Sequence, residues 1–117
     1  MILTFGGDGG RANLRDYHIG GFQIALGALN TMRRQLADEL GRYDIRVVTM
    51  LTGGIVESIP PGFEGRDEIM EMLVTPTALR RTATFEDVGN VAAFLASDRA
   101  GSITGTSINI TCGAVID

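Results

Sequence analysis

RRTATFEDVGNVAAFLASDRAGSITGTSINITCG, residues 80–113, carries a helix start, a helix face and a strand in one continuous run. Thr84-Phe85-Glu86-Asp87 reads as a variant capping box, with Thr84 as N-cap and an acidic residue three positions later. Val88, Val91, Ala92 and Leu95 then fall at three- and four-residue steps, the stripe of a helix that ends near Ser97. Ser107 to Thr111 (SINIT) is a short β-branched run, closed by Cys112-Gly113.

The same alternation extends upstream. Ile45 to Leu51 (IRVVTML) is almost continuously apolar, as a strand covered on both faces should be. Phe22 to Leu40 predicts one helix, with Phe22, Ala25, Leu26, Leu29, Met32, Leu36 and Leu40 on its stripe and Gly41 as C-cap. Arg33, Arg34, Asp38 and Glu39 are expected off that stripe. Arg66 to Val74 has helical spacing, and Met1 to Phe5 reads as a strand that opens the chain without any polar lead-in. Strand, helix, strand, helices and strand in this order predict an α/β fold with parallel strands and flanking helices. A sheet of about three strands would leave apolar edges unpaired, so either a second chain or more of the same fold is expected beside it.

Composition excludes several classes. The 117 residues include 10 basic and 14 acidic side chains, a net charge of −4, and every basic residue is arginine. Without a cationic cluster, neither nucleic acid nor an anionic membrane surface is expected as a partner. No run approaches the roughly 18 apolar residues of a spanning helix. Cys112 is the single cysteine and His18 the single histidine, so an intrachain disulfide and a multi-histidine metal site are both excluded. A cytoplasmic protein is expected.

Candidate chemistry is sparse. Gly7-x-Gly9-x-x-Ala12 has the spacing of a dinucleotide fingerprint. The residues after it carry no helical stripe, and Asp8 would set a negative charge against phosphate, so a turn is the better reading. Tyr17-His18 pairs a phenol with an imidazole but lacks a group to fix the tautomer. Cys112, with no histidine or lysine beside it, reads as a small buried hydrophobe. Arg33-Arg34 and Arg80-Arg81 read as solvated faces or intersubunit ion pairs.

Residues 80–113 resemble the C-terminal segment of the short-chain dehydrogenases/reductases, above all in FLASD followed by ITG. LADELGRYDIRVVTMLTGGIVE, residues 36–57, resembles the stretch of that family that runs through its P-G-x-I-x-T loop. The resemblance implies a Rossmann-like doubly wound sheet, of which residues 1–117 would be the C-terminal half. The family's phosphate-binding loop and first four strands would precede Met1.

What the resemblance implies for chemistry can be carried over position by position. The family's catalytic serine falls at Gly7, its tyrosine at Phe22 and its lysine at Leu26, and all three functional groups are missing. Tyr17 is the only phenol near enough to substitute. Thr52 replaces the proline of the loop, Glu57 replaces the threonine that meets the nicotinamide amide, and Gly53-Gly54-Ile55 keeps the backbone geometry that faces the cofactor. Two functions stay open. One is a piece of a divergent oxidoreductase whose intact form uses NAD or NADP on a small carbonyl or alcohol; the piece by itself is expected to be inactive and to hold no cofactor. The other is a silent member that binds or assembles. The 22–40 helix is one through which the family forms homo-oligomers, so a second copy of the chain is the expected partner.

Overall fold

The structure is a computed structural model that describes residues 1–6 and 20–116. Three strands, β1 (Ile2–Gly6), β2 (Val47–Leu51) and β3 (Ser107–Asn109), form one parallel sheet in the order β1-β2-β3. Helix α1 (Gly21–Gly41) joins β1 to β2, and α2 (Arg66–Val74) and α3 (Phe85–Ala96) lie between β2 and β3. The α/β reading, with a parallel sheet and flanking helices, is therefore correct. All five residues of β2 are buried, as its unbroken apolar run required.

Alternation along β2 divides the interior into two unlike layers. Val48 and Met50 face α3, where with Leu95 and Ala100 they form a fully enclosed cluster flanked by Val88, Val91, Ile103 and Ile108. Thr49 faces α1. It stands in register between Thr4 and Ser107, so one row of hydroxyl side chains crosses the sheet beneath that helix. Thr4 and Thr49 share a 2.7 Å hydrogen bond.

This polar row explains where α1 departs from its sequence pattern. Arg33 is 6% exposed and donates through Nη1 to Ser107 Oγ and to Asn30 Oδ1. It was expected on a solvated face. Seven residues separate Leu26 from Arg33, almost two full turns, so both lie on the face that meets the sheet. Burial holds the Arg33 guanidinium below the usual arginine range, with Arg34 adding to the effect, and its Nε finds no partner among the described residues. Met32 and Phe22 are conversely exposed, at 42% and 59%: Met32 lies round the helix from Leu26 and Arg33, and Phe22 lies one turn before Leu26, which already packs over the end of β1.

Two smaller corrections concern element ends. Gly41 is the last residue of α1, Arg42 is the C-cap in right-handed conformation, and Asp44 takes the left-handed position in the turn that follows. Strand β3 stops at Asn109 and not at Thr111. Asn109 Oδ1 accepts from the Thr111 amide and hydroxyl, and its Nδ2 donates to the Val115 carbonyl, which turns the chain off the sheet.

Helix α3 is held at both ends, by a residue flanking β2 at its C-terminus and by its own cap at its N-terminus. Arg46, just before the strand, donates through Nη2 to the carbonyls of Leu95 and Ser97, at 2.7 and 3.3 Å. A cation there complements the negative end of the helix. At the other end the capping box is complete: Asp87 N donates to Thr84 Oγ1 and Thr84 N to Asp87 Oδ2, each at 3.0 Å. Arg46→Lys should cost about 1–2 kcal/mol, since an ammonium cannot reproduce the planar fork over two carbonyls. Denaturant unfolding of the two proteins checks this.

Candidate functional site

The carboxyl ends of parallel strands are where open α/β sheets bind ligands. Here that edge comprises Gly6, the segment after Leu51 and the turn after Asn109. Gly7, Tyr17 and His18, with the Gly7-x-Gly9-x-x-Ala12 stretch, lie outside the described residues. Of the remaining candidates, Leu26 is 9% exposed, and its Cδ2 stands 3.7 Å from where a side chain on Gly6 would begin. It thus packs over the end of β1. Phe22, one turn earlier, points into solvent.

Gly53-Gly54-Ile55 follows β2 directly. Gly53 has a φ of 64°, the left-handed region that glycine enters without strain, and it sits over Thr111 in the turn after β3. Gly54 is fixed by packing, since a Cβ there would run into the Leu73 side chain of α2. Both glycines are exposed. Among the described residues no hydrogen bond occupies the amides of Gly53, Gly54 or Ile55. The result is an open ribbon of backbone at the strand end, free of side chains over two residues.

Glu57 lies in the short 3-10 turn Val56–Ser58 that follows. Its Oε2 accepts from the Phe85 amide at 2.7 Å. That amide is the first of α3 and has no partner within the helix. Val56 N donates to Thr82 Oγ1 at 3.2 Å, so the turn is tied twice to the segment that enters α3. The sequence pattern carried no sign of these ties, because the partners stand 26 and 28 residues apart.

A cleft of about 660 Å3 opens between α3, the 78–83 segment and the C-terminal turn. Leu79, Val91, Ile110 and Ile116 supply apolar walls, and Cys112 lies among them, half-buried and with a φ of 56°. Arg81 and Asp87 stand at its rim, paired at 2.7 Å. Arg81 is exposed, as a solvated face requires, and it is paired with the carboxylate of the capping box. The backbone amide of Thr84 and the Arg81 guanidinium hold the Asp87 carboxyl below the usual carboxylate range. A carboxyl depressed in the folded state stabilises it at neutral pH and loses that effect as acid protonates it. The gap in Tm between the wild-type chain and Asp87→Asn should be widest near neutral pH. It should close on acidification below about pH 4, which melts across the pH range would show.

Among the described residues there is no cluster of three or more histidine, cysteine, aspartate or glutamate side chains able to hold a metal ion. Among the same residues no helix is long and apolar enough to cross a membrane.

Residues 1–114 match the family model described as enoyl-(acyl carrier protein) reductase. The NADH-dependent enoyl-[acyl-carrier-protein] reductases of Haemophilus influenzae and Bacillus cereus are each 34% identical over 112 residues, 96% of this chain. The chain spans 42% and 43% of their lengths. Among solved structures, sorbitol-6-phosphate 2-dehydrogenase from Erwinia amylovora superposes with a TM-score of 0.83 at 28% identity, over 99% of this chain and 48% of that one. The NADH-dependent enoyl-[acyl-carrier-protein] reductase of Aquifex aeolicus gives 0.77 at 27% identity, over 97% of this chain and 43% of its own. Parallel sheet, capped α3, glycine ribbon and sequence match agree, and the chain belongs to the short-chain dehydrogenase/reductase family, within the group that the enoyl-(acyl carrier protein) reductase model describes.

Proposed function

We propose that residues 1–117 form the C-terminal part of a Rossmann-like oxidoreductase domain, which offers the Gly53–Ile55 backbone to the nicotinamide of NAD or NADP and by itself turns over no substrate. The observation that carries this reading is Leu26. At the position where the family sets its lysine, an apolar side chain is packed against the end of β1, and the chain holds no lysine that could serve instead. Leucine neither donates to a ribose hydroxyl nor stabilises a phenolate. Gly7 and Phe22 at the serine and tyrosine positions point the same way, and nothing in the sequence supports Tyr17 as a substitute for the missing phenol.

The open glycine ribbon fits a flat ring approached by backbone amides. Hydride transfer to a carbonyl or enoyl group is the reaction class that the relatives' names supply for the complete fold. A cytoplasmic setting, with neither nucleic acid nor membrane as partner, accompanies this reading. The purified chain should give no oxidation of NADH or NADPH above background with carbonyl or enoyl thioester substrates. Measurable turnover would overturn the reading.

The exposed side of α1 favours a second role beside the first. Ile24 and Met32 are 77% and 42% exposed on the side of the helix turned away from the sheet, and Phe22 adds a further 59%-exposed apolar side chain at its start. A homo-oligomer built through α1 covers them, and a silent member of the family would act through that assembly alone. Light scattering that shows only monomer at high concentration would contradict it, and null calorimetric heats with both nucleotides in the full-length protein would leave assembly as the sole role.

A further inference from the structure

We infer that Glu57 is a positioning residue, a latch that fixes the loop after β2 against the start of α3 and so sets the height of the Gly53–Ile55 backbone. The inference rests on the reading above that this backbone meets the nicotinamide. Its grounds lie in the loop itself. The chain from Gly53 to Gly65 is hinged by glycines at left-handed φ values of 64°, 80° and 75°, at Gly53, Gly62 and Gly65. Between these hinges the Val56–Ser58 turn is fastened to the segment entering α3 by two bonds, Val56 N to Thr82 Oγ1 and Phe85 N to Glu57 Oε2.

Only the second involves a charge, and it meets a helix amide that is otherwise unpartnered at a terminus favouring anions. The first turn of α3 carries two more carboxylates, Glu86 and Asp87. Asp87 is engaged by Arg81, whereas Glu57 is bonded to the Phe85 amide. Glu57 thus replaces a residue expected against the cofactor, and its carboxylate turns instead to the frame that carries the loop.

Amide hydrogen exchange of the 117-residue chain tests this without any nucleotide. Glu57→Ala should speed exchange at Phe85 and at Val56–Ser58 by between about threefold and tenfold, the scale of an exposed charge-assisted bond. Val48 and Met50 in β2 should not change. Glu57→Gln keeps an acceptor oxygen and should fall between the two. Unchanged exchange at Phe85 in Glu57→Ala would overturn the latch, and so would an equal rise across β2 and the loop. The nicotinamide reading fails separately, if NADH leaves the Gly53–Ile55 amides unprotected in a full-length chain that carries the phosphate-binding half.

Discussion

Leu95→Ala should lower stability by about 2–5 kcal/mol, with a fall in Tm of roughly 10–20 °C. Leu95 is wholly buried, and it closes the cluster of Val48, Met50 and Ala100 between α3 and the sheet. On the opposite face of β2 the buried apolar residues Val47 and Leu51 are interrupted by Thr49 in the Thr4–Thr49–Ser107 row. Loss of the side chain removes its transfer free energy and leaves a cavity that neighbours on three elements cannot all close. The loss should also loosen the grip of Arg46, which holds the Leu95 carbonyl. Leu79→Ala, at a residue 63% exposed, should stay within about 0.5 kcal/mol. Denaturant unfolding of both variants tests the contrast, and equal losses would place the core elsewhere.

The elements of this fold were legible because their signals are local. The capping box at Thr84–Asp87, the 66–74 helix and the doubly covered β2 follow from spacing within a few residues, and each is present. Arg33 was not legible. Its burial depends on hydroxyls from three strands meeting one helix, and a charged residue one heptad from Leu26 reads as solvent-facing until that polar row is known. Of the candidate site, Gly53 and Gly54 were readable as flexible backbone, but the Leu73 packing that demands Gly54 was not. Glu57 could be assigned a position in the sequence and not a partner, since the Phe85 amide is brought to it by tertiary folding. Local order was in the pattern, and side-chain partnership across elements was not.

Gly113→Ala should be the second costly change, at about 2–5 kcal/mol, although it adds one methyl group at the surface end of β3. Gly113 has a φ of 81°, where an L side chain meets about 1–2 kcal/mol of strain. A Cβ there would also stand 2.5 Å from Ala78 Cβ and 3.2 Å from Ala78 N. The segment cannot drift away, because Leu79 N donates to the Cys112 carbonyl at 3.1 Å and Thr77, just before it, is buried. Relief must come from the backbone of both strands of this contact, which is the costly kind of overpacking, about 1–3 kcal/mol. Gly89→Ala provides the opposite sign. That glycine is helical, with nothing within 4 Å of its would-be Cβ, so the change should stabilise α3 by about 0.5–1 kcal/mol. Since Cys112 and Gly113 form one wall of the cleft and end the strand edge, a destabilised Gly113→Ala would show that this glycine is kept for packing against Ala78. A neutral result would mean that the turn is free to move, and would leave ligand approach as the reason for a glycine there.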